Sequence, residues 1–202
     1  MEFNSRNIEE CLRKCPPYLH VKDRIDEIEN VSLPFFVTAF NKLLDTGRFP
    51  SMRVFTTRYL SDNVKVISNK VRNAKEAGGL MGRLSRVYPS LVREFHLFLM
   101  LQENQTLKDH DAKIVRDTEL DKSGIDVLIT VREKPFGIKI FQGTLNSRRW
   151  KKIKEKYRDS HSKDIEIINA IFVWKKGKDV NNYLLYRPED AEEIAQRIVK
   201  NA

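Results

Sequence analysis

Asp126 and Lys139 stand in the stretch SGIDVLITVREKPFGIKIFQGT, residues 123–144, the aspartate at the start of one apolar run and the lysine inside the next. A carboxylate and an ammonium on paired strands are ingredients of phosphodiester hydrolysis. That reaction needs a hard divalent cation held by oxygen ligands, which polarises the phosphoryl group and lowers the pKa of a bound water. It also gains from a nearby cation that orients the water or balances the developing charge. The polar stretch REKP between the runs reads as a tight turn. With the turn centred on Glu133-Lys134 and an even number of loop residues, Asp126 lies opposite Phe141, and Lys139 is its diagonal neighbour on the same sheet face. An odd loop would reverse the parity and separate the two charges.

Further carboxylates lie within reach of such a hairpin. Glu94 sits on the preceding helix among Leu91, Leu97, Phe98 and Leu101, where a charge requires a partner. Asp117 and Glu119 follow an earlier strand-like segment and are candidates for the remaining oxygen ligand. After the hairpin, NSRRWKKIKEKYRD packs Arg148, Arg149, Lys151, Lys152, Lys154, Lys156 and Arg158 into three turns of a predicted helix, with Trp150, Ile153 and Tyr157 as its inward stripe. Thr144, Asn146 and Ser147 precede it, where hydroxyls and a helix N-terminus hold phosphate. The expected backbone contacts are Thr144, Ser147, Arg148, Arg149, Lys152 and Lys156. Lys175, Lys176 and Lys178 form a second basic cluster.

Other chemistry has less support. Cys11 and Cys15 are one helical turn apart, with His20 beyond, but zinc needs a fourth ligand, and the pair reads as two ordinary thiols in a reducing compartment. The DHD at 109–111 reads as a polar loop. AGGLMGRLS lacks the Gly-Lys-Ser/Thr ending of a phosphate loop and reads as a hinge or helix stop. No Ser-His-Asp or Cys-His arrangement has local support.

The elements that must position these residues follow from periodicity. Residues 1–80 form a mostly helical N-terminal region, with helices expected over FFVTAFNKLLDTG, ending at Gly47, and over TRYLSDNVKVISNKVRNAKEAGG. Residues 81–202 form an α/β region. Its predicted order is a long helix over 88–104, strands at AKIVRD, GIDVLITV and FGIKIFQ, the basic helix, strands at IEIINAIFVW and NYLLYR, and a closing helix at PEDAEEIAQRIVKN. A hairpin meander feeding a helical crossover gives a mixed sheet flanked by helices.

The α/β region resembles the PD-(D/E)xK nuclease superfamily, the restriction-endonuclease-like fold, over roughly residues 86–187. The resemblance rests on the α-β-β-β-α-β order, on GIDVLI as the aspartate strand and on FGIKIFQ as the strand that should carry (D/E)xK. It implies that Asp126 and a second acid bind magnesium or manganese and that Lys139 assists the attacking water, with Asp126, Glu94 and Glu119 as the metal-ligand candidates. If Lys139 is the signature lysine, the acidic position falls on Gly137. If the strand follows the GIQIK variant, Lys139 takes the glutamine position and Phe141 the lysine. The implied function is metal-dependent hydrolysis of nucleic acid, DNA ahead of RNA. The alternative is a catalytically inactive member of that fold, acting as a nucleic-acid-binding or protein-interaction subunit.

Composition agrees with a polyanionic partner. Of 202 residues, 37 are Lys or Arg against 28 Asp or Glu, a formal charge of +9. The sequence leaves room for a homodimer or for an acidic protein partner on the basic face. The N-terminus is polar and the most apolar run, LVREFHLFLMLQ, is too short to span a bilayer, so a cytoplasmic, membrane-free protein is expected.

Overall fold

A computed structural model describes residues 3–19, 26–29, 31–116, 118–142, 165–172 and 176–202. The hairpin that carries Asp126 and Lys139 is built on strands β2 (Val127–Val131) and β3 (Lys134–Gln142). Its turn is Arg132-Glu133, one residue earlier than expected. Both residues have positive φ, 48° and 67°, the backbone of a two-residue turn whose twist matches that of the flanking strands. Val131 pairs with Lys134 and Val127 with Ile138. Lys134 is held as the first residue of β3 by an ion pair to Glu166 at 3.2 Å, with its Nζ 5.2 Å from the Phe136 ring centroid. The loop length stays even, so the face of every side chain is as expected, but each cross-strand partner shifts by two.

Two further strands complete a four-stranded mixed sheet in the order β1-β2-β3-β4. β1 (Lys113–Val115) runs antiparallel to β2, with Val115 opposite Leu128. β4 (Glu166–Phe172) runs parallel to β3, with Lys139 beside Asn169. One sheet face is apolar without interruption: Val127, Ile129, Val131, Phe136, Ile138, Ile168 and Ala170 are buried. They join Leu97 and Leu101, then Leu107, and Ala191, Ile194, Ala195 and Ile198 of the C-terminal helix in one core. By register, the other face carries Leu128, Gly137, Lys139, Ile167 and Asn169, and Asp126 stands just before the first pair. The basic segment 146–158, with Thr144, Ser147, Arg148, Arg149, Lys152 and Lys156, lies outside the described residues, as do Asp117, His20 and Lys175.

The chain divides into two units, one of residues 1–93 with 180–183, the other of residues 94–179 with 184–202. In the first, α1 (Ser5–Lys14), α2 (Asp26–Glu29), α3 (Phe36–Leu44), α4 (Met52–Asp62) and α5 (Val64–Ser68) precede a 30-residue helix, α6 (Ala74–Glu103). The core of this unit is aromatic: Phe40, Phe55, Tyr59 and Tyr88 are fully buried, and the Tyr88 hydroxyl donates to the Pro50 carbonyl at 2.6 Å. The expected single helix through TRYLSDNVKVISNK is instead two, α4 and α5, broken at Asn63, whose side chain donates to the Tyr59 carbonyl at 2.8 Å. α3 ends as expected before Gly47, which takes the left-handed φ of 73°.

Gly78-Gly79 does not stop a helix, contrary to expectation. Both glycines lie inside α6. Each costs about 1 kcal/mol relative to alanine, a weak penalty beside the packing of a continuous helix that buries Leu80, Leu84, Tyr88 and Val92. The second unit holds α7 (Gln105–Lys108), α8 (Thr118–Lys122) and α9 (Pro188–Asn201). The small hairpin of β5 (Lys178–Val180) and β6 (Tyr183–Leu185) has residues in each unit. α9 begins as the sequence indicates, with Pro188 in its first turn and Glu189 and Asp190 at its positive end. Among the described residues no helix is long and apolar enough to cross a membrane.

Gly137 is where the sheet is tightest. A Cβ there would approach Ile167 Cδ1 to 2.8 Å, Ile165 Cγ2 to 3.1 Å and Ile125 Cδ1 to 3.3 Å. Replacing Gly137 by Val is expected to cost about 1–3 kcal/mol, the usual range for overpacking. Ala requires the Ile167 terminal methyl to turn and Ile165 and Ile125 to give by a few tenths of an ångström, and should cost less. Urea unfolding of both variants checks this; equal midpoints for Val and wild type would refute the close packing.

Candidate functional site

Asp126 is placed by the turn that ends α8. Gly124, at φ +79°, donates its N–H to the Asp121 carbonyl at 2.9 Å, and Ile125 N–H donates to the Leu120 carbonyl at 2.9 Å. The chain then enters β2, with Ile125 and Val127 buried and Asp126 between them half-buried. Asp126 N–H donates to the Ile138 carbonyl at 2.9 Å, and Asp126 Oδ2 accepts a hydrogen bond from Ile140 N–H. The register ends at the Val127–Ile138 pair, and Asp126, one residue before it, also bonds to Ile138 rather than pairing in step with Lys139. The carboxylate thus takes a backbone donor at the strand end, bridging the two strands across Lys139.

Lys139 is half-buried on the same face, and its Nζ lies 3.7 Å from where a Cβ on Gly124 would sit. The ammonium therefore reaches back along the hairpin to the turn before Asp126. Beside it on β4 is Asn169, whose Oδ1 is buried with no hydrogen-bond partner among the described residues. The acidic position of the expected signature, Gly137, is closed by the isoleucines described above. A carboxylate at this position would be buried against three isoleucines without a partner.

A second set of charges meets at Arg116, one residue past β1. Burial pulls the pKa of its guanidinium below the ordinary value, and the carboxylates of Glu94, Asp121 and Asp126, in that order of strength, pull it back. Its central carbon lies 5.7 Å from the Phe95 ring centroid, a cation–π distance. Glu94 comes from α6, Asp121 from α8 and Asp126 from the start of β2. Glu94, on its apolar helix face, is the strongest of these electrostatic influences on the guanidinium. Glu119 lies in the first turn of α8, the helix that also carries Asp121.

Sequence reasoning singled out neither Arg116 nor Asp121. The available signal is the alternation RDTELDK directly after an apolar strand, a cation among acids where the chain leaves a sheet. The described residues do not fit a magnesium or manganese centre. Among them no three His, Cys, Asp or Glu side chains are grouped to hold a metal ion. The two carboxylates expected as ligands, Asp126 and Glu94, instead act on one guanidinium, and Asp126 already accepts from Ile140. Cys11 and Cys15 are free thiols at the end of α1.

The Ile140 hydrogen bond makes Asp126 measurable through stability. Asp126→Ala leaves a part-buried N–H without its acceptor and is expected to cost about 1–3 kcal/mol. Asp126→Asn retains an acceptor oxygen and should cost less. Denaturant titration of the two variants checks the order; Ala more stable than Asn would refute this role. Comparison with family models, curated proteins and solved structures finds no match to the chain.

Proposed function

We propose that the chain is a nucleic-acid-binding protein on a nuclease-like α/β unit whose hydrolytic site is degenerate, with DNA ahead of RNA as the partner. The observation that carries this reading is the engagement of Asp126 Oδ2 by Ile140 N–H, with Asp126 and Glu94 both within electrostatic range of the Arg116 guanidinium. Supporting it are the blocked acidic position at Gly137 and the mixed sheet with a meander followed by a parallel fourth strand. The polyanionic partner is supported by the formal charge of +9 and by the seven cations between residues 148 and 158.

A second reading, magnesium-dependent hydrolysis of DNA, is favoured by one observation. Lys139 Nζ lies against the Gly124 turn, two residues from Asp126, where an ammonium could steady charge on a phosphoryl oxygen. The two readings differ in one assay. Wild-type protein is incubated with single- and double-stranded DNA and RNA in magnesium, manganese or EDTA. The first reading expects binding without cleavage. Cleavage that EDTA abolishes, and that Asp126→Asn lowers by orders of magnitude, would establish the second.

Binding itself is tested by salt. Replacing Arg148, Arg149, Lys152 and Lys156 by Ala, singly, should weaken binding to all duplex sequences alike. The slope of log affinity against log salt should fall by roughly 0.9 for each phosphate that is no longer neutralised. Unchanged slopes in all four variants would take these residues out of the interface.

A further inference from the structure

The positive charge of this chain is not spread evenly along it. Residues 31–93 hold 11 Lys or Arg against 3 Asp or Glu, whereas residues 1–30 hold 5 against 7 and residues 94–202 hold 21 against 18. An excess equal to almost the whole formal charge of +9 therefore lies in one stretch of the helical unit. Three of these eleven cations serve the fold. Arg83 Nη1 donates to the Ile28 and Val31 carbonyls at 2.7 and 2.9 Å, Arg86 pairs with Glu29, and Arg93 is buried. The other eight fall between residues 42 and 75, where the acids are Asp45 and Asp62. Asp62 is shared, 3.0 Å from Arg58 Nε and 3.6 Å from Lys42 Nζ, so one carboxylate holds a cation of α3 beside one of α4. Arg48, Arg53, Lys65 and Arg72 are exposed, and their side chains make no ion pair or hydrogen bond among the described residues.

The helices turn these cations outward. α4 buries Phe55, Thr56 and Tyr59, and presents Arg53, Thr57 and Ser61 at a spacing of four, with Arg58 on the adjacent ridge. Past the break at Asn63, α5 continues with Lys65 and Ser68 exposed. We infer that this α4–α5 surface, running on to Arg72, is a contact surface for the phosphate backbone of duplex DNA, in addition to residues 148–158. The inference rests on nucleic acid being the partner, as proposed above. Arg and Lys with Ser and Thr hydroxyls are the side chains that bind phosphate oxygens, and such contacts fix position without reading sequence. No aromatic ring of residues 42–75 is exposed: Phe55 and Tyr59 are fully buried, and Phe49 is half-buried against Phe40. The bases of a single strand would have no ring here to stack on. A protein interface is enriched in Tyr, Trp and Phe and depleted in Lys, the reverse of this surface.

The test uses the full-length protein and a short fluorescent duplex, with binding read by anisotropy over a series of salt concentrations. One variant combines Arg53→Gln, Lys65→Gln and Arg72→Gln. A control combines Lys108→Gln, Arg197→Gln and Lys200→Gln, exposed cations of the other unit, and removes the same formal charge. The first should weaken binding to two unrelated duplexes alike. It should lower the slope of log affinity against log salt by roughly 0.9 for each lost phosphate contact. The control should keep the wild-type slope. Asp62→Asn removes the acid between Lys42 and Arg58 and should tighten binding. Thermal unfolding checks that each variant is folded. If the first triple variant is not, its three single substitutions carry the same test, each lowering the slope by roughly 0.9. A wild-type slope in these variants overturns the inference, as does an equal fall in both triples, which would make net charge rather than contact the cause. So does an Asp62→Asn protein that binds no tighter than wild type, or weakened binding to poly-glutamate with duplex binding intact, the sign of an acidic protein partner. A wild type that binds no duplex at any salt removes the proposed function as well, whereas duplex binding that keeps its slope in the first triple variant removes this inference alone.

Discussion

The pairing of β2 with β3 is the constraint from which the α/β unit takes its order, and a two-residue turn at Arg132-Glu133 sets it. Side chains alternate along a strand, so a slip of one residue would carry Val127, Ile129, Val131, Phe136 and Ile138 from the core to the opposite face. All five are fully buried, and that burial forbids the slip. The same register puts Asp126 and Lys139 at one end of the hairpin, and Gly137 where Ile165 and Ile167 close over it. Core and candidate site are two faces of one pairing.

The second organising force is electrostatic. Glu94 lies on a helix that otherwise turns an apolar surface to the sheet, and Arg116 leaves the sheet at its edge strand. Neither charge is tolerable there alone, because burial disfavours an ion without a compensating partner. Glu94 acts electrostatically on Arg116, and Asp121 and Asp126 add to that field. Acids suited by type to metal binding thus lie in the field of a cation of the same chain.

Long elements with a clear period are legible in the sequence. β2, β3 and β4 are apolar runs bounded by turn residues, and α9 announces itself by Pro188 and two acids. The turn falls one residue earlier than its polarity suggests because Arg132-Glu133 contains none of the Gly or Asn that usually mark positive φ. Gly78-Gly79 misleads because a local propensity is set against a cooperative helix of 30 residues. α8 and β5 are too short to show a period. Asp126 and Lys139 can be assigned to one face from parity alone. Arg116 and Asp121 cannot be joined to Glu94 in that way, since their meeting depends on how helix, sheet and connection pack together, which no spacing encodes.

The packing at Gly137 bears on what this chain could become. The first atom of any side chain placed at 137 would meet Ile167 Cδ1 at 2.8 Å and Ile165 Cγ2 at 3.1 Å. An aspartate there would need Ile167 to turn away and Ile165 to shift, while truncating either first would open a void in the sheet. Each single path passes through a less stable protein. The glycine therefore acts as a ratchet: whatever history left it there, neighbours packed as these are make the arrival of an acid a concerted change rather than a single substitution.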